Sequence, residues 1–260
     1  DGEPQPLVDT ETDQFFPTWS HDGQWIAFAS WDDLEGGDIY RVRPDGSDLQ
    51  RVTERKAFYE RLAFTPDGQR IVAGRGARSQ RITFADELVR GRPQSTELIW
   101  IPAAGGSATT ITRLNLSSRW AYAHYGQPHF TEDGSRVFFH DPLDGLVSVA
   151  WNGTDRREVL DVQGWEWTYN PQVPADELLL SPRGDRALAL ANNQVYMIDL
   201  PPGGARVPTI SLSDTAGSAL PVHRLTTVGA DYIGWTADGT SAFWSLGGTI
   251  TIAARGGPTE

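Results

Sequence analysis

The chain lacks cysteine altogether. Disulfides, thiolate metal sites and cysteine nucleophiles are therefore excluded, although the absence does not by itself fix a compartment. Long apolar runs are missing too. None approaches the roughly 20 residues that a membrane-spanning helix needs, so no membrane insertion is expected. Positive charge is scarce: Lys and Arg number 22 against 34 Asp and Glu, a net charge of −12. Such a surface repels phosphates, which argues against a nucleic-acid partner and favours cationic ligands or metal ions. The specific catalytic signatures are absent as well. There is no Gly-x-Ser-x-Gly elbow to carry a hydrolase nucleophile. There is no His-Glu-x-x-His helix, no phosphate loop and no calcium-binding helix–loop–helix pattern.

What is present is a repeated phrase. An aromatic residue precedes a hydroxyl residue, any residue, Asp and Gly, and an alternating apolar run follows. The copies are Trp19-Ser20-His21-Asp22-Gly23, Phe64-Thr65-Pro66-Asp67-Gly68, Phe130-Thr131-Glu132-Asp133-Gly134 and Trp235-Thr236-Ala237-Asp238-Gly239. A fifth, Leu180-Ser181-Pro182-Arg183-Gly184, has Arg in place of Asp. The Asp accepts hydrogen bonds from turn amides, and Gly takes the positive φ of a tight hairpin. After the first copy, Trp25, Ala27 and Ala29 alternate with Ile26, Phe28 and Ser30. Both sets are largely apolar, as in a strand covered on both faces. Sheets stacked face to face around an axis meet that requirement, and a repeat at this spacing signals a propeller.

The composition agrees. An apolar content of 39% with 10 Trp builds a core, and 27 Gly with 17 Pro suit a fold rich in hairpins. The 260 residues predict one all-β domain, a five-bladed propeller of four-stranded antiparallel blades. The blades are placed near 15–54, 59–113, 127–160, 177–226 and 231–260. Residues 75–96, 115–125 and 201–221 are read as loops. Residues 3–10, within the segment 1–13, resemble an outer strand without its own blade, while the last blade lacks one. The economical expectation is a ring closed by residues 3–10 pairing beside 248–254, which hides an unpaired edge. The alternative is a piece of a longer propeller. Asn115-Leu116-Ser117 and Asn152-Gly153-Thr154 fit the glycosylation acceptor pattern, a triplet that also arises by chance.

With its hydroxyl-x-Asp-Gly turns at 20–23, 65–68, 131–134 and 236–239, the chain resembles the TolB-type propeller family. The strand Asp38-Ile39-Tyr40-Arg41-Val42, its Arg43-Pro44-Asp45-Gly46 turn and the Gly105-Gly106 turn support the resemblance. It covers nearly the whole chain, and it is specific for fold rather than function. Two departures stand out: the fourth copy has lost its Asp, and family rings often have six or more blades. The resemblance implies a periplasmic or extracellular location. It also implies either a stand-alone binding scaffold or a domain joined to amidohydrolases or prolyl-oligopeptidase-like hydrolases. No His-x-His pair is present to supply an amidohydrolase metal centre.

The candidate ligand-binding residues lie where the chain leads into the first strand of each blade, which in a propeller approaches the channel mouth. They are Phe16; Tyr59, Glu60 and Arg61; Trp120, Tyr122 and His124; Trp165 and Trp167; and Asp231 and Tyr232. Rings flanked by charges stack sugars, ring-bearing ligands or peptide side chains, and aromatic and Arg residues dominate interface hot spots. The plainer alternative is that these rings pack between blades. His124, His129 and His140 fall in one blade, and imidazole ligates metals. Yet His129 and His140 are expected at opposite ends of the sheet or on different faces, as structural histidines. Glu60, Asp176 and Asp231 occupy matching inner positions and are candidates for a channel cation such as calcium; no other cofactor is expected. The same carboxylates could act as the acid and base of a glycosidase. Arg70, Arg75, Arg78, Arg81, Arg90 and Arg92 form either an anion-docking cluster or a solvated loop. The function read from the sequence is a non-catalytic scaffold binding a protein partner or small ligand. The alternatives are an accessory propeller of a larger hydrolase and a polysaccharide-acting enzyme.

Overall fold

The computed structural model describes residues 5–79, 96–114, 125–165, 173–201 and 209–254. Its residues fall into two compact units, Asp1–Tyr122 and Ala123–Glu260.

The first unit holds two antiparallel sheets. One runs in the order β1 (Asp13–Trp19), β2 (Ile26–Trp31), β3 (Ile39–Val42), β4 (Gln50–Arg51). The other runs β5 (Phe58–Phe64), β6 (Arg70–Gly76), β7 (Glu97–Pro102), β8 (Thr109–Arg113). Alternation decides what lies between them. Ala27, Ala29, Ile39 and Val52 share one buried cluster with Tyr59, Leu62, Phe64, Ile71, Ala73, Ile99 and Ile101. The small alanines of β2 let the second sheet approach closely. Ile39, Ile71, Ile99 and Ile101 are fully buried, each worth about 1.5–3 kcal/mol of apolar burial.

The second unit repeats the theme. β9 (Val137–Asp141), β10 (Gly145–Val149) and β11 (Arg157–Leu160) form one sheet. The segment before them, predicted as a strand over 127–131, contributes a single bridge between His129 and Phe138. Pro128 beside it has no amide hydrogen to extend the ladder. A small mixed sheet follows, in the order β13 (Val173–Pro174), β12 (Val162–Gly164), β17 (Ile210–Ser211), with β12 and β17 parallel. It corrects the reading of 201–221 as wholly loop. Next come β14 (Glu177–Leu180), β15 (Arg186–Ala191), β16 (Gln194–Asp199) and β18 (Val222–Arg224) as one antiparallel sheet. The last sheet is β19 (Tyr232–Trp235), β20 (Ser241–Leu246) and β21 (Thr249–Ala254).

The β14–β18 sheet shows why both sides of each strand are apolar. Leu178, Leu180, Ala187, Ala189, Ala191, Tyr196 and Ile198 bury one face with Phe138, Leu146 and Leu160 of the preceding sheet. Leu179, Leu188, Leu190, Val195 and Met197 bury the other with Ile233, Ala242 and Trp244 of the following one. Each face is thus sealed by a neighbouring sheet.

The repeated turns form as their chemistry predicts. Ser20 Oγ donates to Asp22 Oδ1 at 2.6 Å, Gln24 N donates to the same oxygen at 3.0 Å, and Trp25 N returns to Ser20 Oγ at 2.9 Å. Thr236 and Asp238 reproduce this, with Thr236 Oγ1 donating to Asp238 Oδ1 at 2.7 Å and Ser241 N returning to Thr236 Oγ1 at 3.0 Å. Gly23 and Gly239 take φ of +67° and +63°. In the copy that lost its Asp, Ser181 Oγ donates instead to Asp185, at 2.9 Å. The carboxylate has moved two positions along the turn, from 183 to 185, and still receives the hydroxyl.

Outer strands are fastened by a second repeated device. Thr53 Oγ1 donates to buried Asp38 at 2.6 Å and accepts from Ile39 N at 3.2 Å. Thr226 Oγ1 donates to Gln194 at 2.8 Å and accepts from Val195 N at 2.9 Å.

The expected closing strand does not form among the described residues. Residues 5–12 carry no strand, and β21 pairs only with β20. The segment lies instead against its own unit: the Leu7 carbonyl oxygen is 2.6 Å from where a Cβ on Gly46 would stand, beyond the end of β3. β21 is left with exposed Ile250 and Ile252.

Candidate functional site

Counting back four residues from each turn hydroxyl gives Phe16, Arg61, Gln127, Glu177 and Tyr232. In β1 and β5 this position is a β-bulge. The pairing shifts between Phe15 and Thr18 and between Glu60 and Ala63, and Phe16 and Arg61 both take φ of 53°. A non-glycine residue there costs about 1 kcal/mol or more, so its repetition at equivalent places marks a built feature. A bulge re-aims side chains at the end of a strand. Phe16 is 36% exposed and Tyr232 is 72% exposed. In the second unit, Gln127 N donates to Glu177 Oε1 at 3.1 Å, tying two of these positions together. Gln127 and Glu177 were not among the residues predicted; their distance from the turn was the available signal.

One position earlier stand Glu60, Asp176 and Asp231. Asp231 is committed to its own sheet: Oδ2 accepts from Gly247 N at 2.8 Å across the β20–β21 turn. Asp176 is held above the usual carboxylate range by desolvation first and by the charge of Glu177 second. Among the described residues no three His, Asp or Glu side chains are grouped so as to hold a metal ion.

Tyr59 is buried rather than displayed. Its hydroxyl donates to the Arg55 carbonyl at 2.7 Å, and burial pushes the phenol up to about 12, against the pull of the Arg75 guanidinium. The residue is one wall of a cleft of about 210 Å³ where the two sheets of the first unit meet. Thr53, Glu54, Arg55, Arg75 and Ser107 supply its polar lining.

Trp165 is half-buried and packs against the β14–β18 core, with its backbone held by Asn192. Trp120, Tyr122, His124 and Trp167 lie outside the described residues, as do Arg81, Arg90 and Arg92. The remaining arginines of that cluster are engaged. Arg70 stacks 4.5 Å over Trp100, Arg75 pairs with Glu97 at 2.6 Å, and Arg78 donates to the Asp33 carbonyl at 3.0 Å. Arg41 and Arg43 likewise cover Trp25, at 4.0 and 3.9 Å from the ring centroid, a pairing the sequence reading missed.

The two histidines share a face, contrary to expectation. His129 pairs opposite Phe138, and His140 is two residues further along β9, so the register turns both to the same side. Both are tied into the sheet rather than displayed. His129 Nε2 accepts from Leu180 N at 2.9 Å, which fixes the proton on Nδ1, 3.0 Å from the Gln127 carbonyl. Burial pulls its pKa down to about 4, so the ring is neutral. His140 is almost completely buried in the strand.

Within each unit, antiparallel sheets pack face to face, as the blades of a β-propeller do. No family model matches the chain, and no curated protein matches it. Solved structures do. TolB from Acinetobacter baumannii superposes with a TM-score of 0.59 at 12% identity, covering 95% of this chain and 53% of that one. An oligogalacturonate lyase in complex with manganese gives 0.57 at 17% identity, covering 92% and 60%. The β-propeller domain of Myceliophteria thermophila Cps50 (Swd1) gives 0.51 at 12% identity, covering 96% and 86%. The fold is therefore of the TolB-type, WD40-like propeller kind. The chain spans 53% of the length of that TolB chain and 60% of the lyase. No helix among the described residues is long and apolar enough to cross a membrane.

Proposed function

We propose that this chain is a non-catalytic β-propeller scaffold for a protein partner or small ligand, with Phe16 and Arg61 as contact residues on strands of the first unit and Tyr232 on a strand of the second. The observation that carries this reading is the position four residues before the turn. It holds exposed Phe16 in β1 and exposed Tyr232 in β19, and β1 and β5 keep a strained bulge there. Strain of this kind persists where the surroundings over-determine it, and it clusters at binding sites. Rings and guanidinium groups are the side chains that anchor interfaces. In this reading the sheets near 15–54, 59–113, 127–160, 177–226 and 231–260 serve as five blades, and the location is extracytoplasmic.

A second reading, the accessory propeller of a larger hydrolase, is favoured by the greater length of the TolB and lyase chains. A polysaccharide-acting enzyme draws on the lyase's fold alone. Quantitative affinity capture separates the scaffold reading from these. A partner retained by the wild-type chain and lost by the folded triple variant Phe16→Ala, Arg61→Ala, Tyr232→Ala supports it. Equal retention by both proteins, or glycan cleavage by the isolated chain, defeats it.

A further inference from the structure

Four sheets end in an outer strand: β4 beside β3, β8 beside β7, β11 beside β10 and β18 beside β16. β21 occupies the place of β3 and β16, yet among the described residues it pairs only with β20. The register makes the three places comparable. Trp19, Leu180 and Trp235, each just before a turn hydroxyl, pair with Ile26, Ala187 and Ala242. Those pair in turn with Val42, Ile198 and Ala253. Three residues earlier stand Ile39, Val195 and Ile250. Ile39 and Val195 are fully buried, whereas Ile250 is 71% exposed.

What covers the first two is a single pattern. The Ile39 carbonyl accepts from Val52 N at 2.8 Å, and the Val195 carbonyl from Leu225 N at 2.7 Å. Their amides donate to the next hydroxyls, Thr53 and Thr226, at 3.2 and 2.9 Å. Those hydroxyls donate on to Asp38 and Gln194, whose place in the last sheet is taken by Thr249, also an acceptor. An arginine comes before each aliphatic residue, Arg51 opposite Tyr40 and Arg224 opposite Tyr196. Val52 and Leu225 are buried. The covering strand is therefore Arg-aliphatic-Thr in both sheets. By register, the backbone groups of Ile250, and of Ile252 two residues on, face outward for the same partner.

Charge narrows the source. Residues 5–12 hold no basic residue. A second copy would bring an uncharged β21 and a net charge of −12 against its twin, which repels. The same charge attracts an arginine-bearing segment.

We propose that the edge of β21 takes up an extended segment of another protein with the pattern Arg-aliphatic-Thr, added as a fourth antiparallel strand. Tyr232 lies on β19, the opposite edge of the sheet, and the proposal does not rest on the partner surface described above.

The test adds a dye-labelled peptide with the sequence of residues 222–228 to the full chain. Fluorescence anisotropy reads binding, and amide hydrogen exchange reads its place. The peptide is expected to bind and to slow exchange at Ile250 and Ile252. Methylating the peptide nitrogen of Leu225, which leaves the protein untouched, is expected to weaken binding about tenfold, as is Ile250→Pro, which removes only an outward amide. Replacing the peptide arginine by glutamate weakens it further. Absence of binding overturns the proposal, as does binding without protection of Ile250 and Ile252 or binding indifferent to N-methylation. Protection of these amides without peptide also overturns it: protection that grows with protein concentration assigns the edge to a second copy, and protection at every concentration assigns it to the chain itself.

Discussion

Asn192 holds both backbone polar groups of Trp165. Its Oδ1 accepts from Trp165 N at 3.0 Å and its Nδ2 donates to Trp165 O at 2.6 Å, so one side chain does the work of a strand partner. It can do so because Asn192 and Asn193 both take left-handed φ, 51° and 59°, in the turn between β15 and β16. Asn192→Ala removes both hydrogen bonds and places alanine where asparagine is better tolerated. A loss of about 2–3 kcal/mol is expected in urea unfolding. A loss below ~0.5 kcal/mol would show that the clasp is incidental.

The second expectation concerns close approach. Gly37 bridges to Ala57, each amide donating to the other's carbonyl at 2.9 Å, and this pins the chain before β3 to the start of β5. A Cβ on Gly37 would stand 2.0 Å from the Ser30 carbonyl oxygen. Backbone cannot yield as a flexible side chain does. Gly37→Ala is expected to cost about 3 kcal/mol or more, read from the unfolding midpoint at unchanged denaturant slope.

The turn aspartates set the acid limb of stability. The carboxyls of Asp22, Asp67 and Asp133 lie below the usual range, chiefly through the Ser20, Thr65 and Thr131 hydroxyls. Asp238 is lowered to about 2, chiefly by the Thr240 amide. A depressed carboxyl stabilises fully above its unfolded pKa near 4, and that stability is lost as pH falls through the folded value. The melting temperature should therefore fall between about pH 4 and pH 2. Asp238→Asn, which keeps the turn shape, should flatten part of that slope. An unchanged profile would remove these turns as the cause.

His129 acts in a separate window. Its folded pKa near 4 lies below the ordinary 6.5, so the unfolded chain takes up a proton first as pH falls. Stability is complete above about pH 6.5 and declines toward pH 4. Nitrogen-detected NMR should find the Nδ1–H tautomer and a neutral ring at pH 5.5. A ring that titrates near 6.5 would contradict the buried hydrogen bond to Leu180.

Much of the fold was legible because its signals are local. A hydroxyl, an Asp and a Gly within four residues determine a turn, and the strand after it shows its covered faces by alternation. The pairings that escaped are distant in sequence or very short. β12 and β17 are three and two residues long and parallel, with 45 residues between them, so no periodicity announces them. The two bulges were invisible for another reason: Phe16 and Arg61 are unlike in type, and nothing in a residue name declares a positive φ. Asp185 taking the place of the missing turn Asp could have been found by looking two residues beyond Arg183. In the candidate site, Phe16 and Tyr232 were named from the sequence because both sit at a fixed distance from a turn; their exposure is a finding of the structure. For Tyr59 the sequence left display and burial both open, because burial depends on the neighbouring sheet. Residues 5–10 form no strand; their similarity to an outer strand carries no information about which strand would pair with them.

β21 has a practical consequence. Thr249-Ile250-Thr251-Ile252-Ala253-Ala254 carries no charge and no proline, and Ile250 and Ile252 are 71% and 66% exposed. Strands of that makeup are where protein molecules stick to one another in concentrated solution. Crystallisation and storage of this chain will be governed by that short uncharged ribbon before any ligand is added, and a lysine introduced at position 252 is the first modification to make when preparing it.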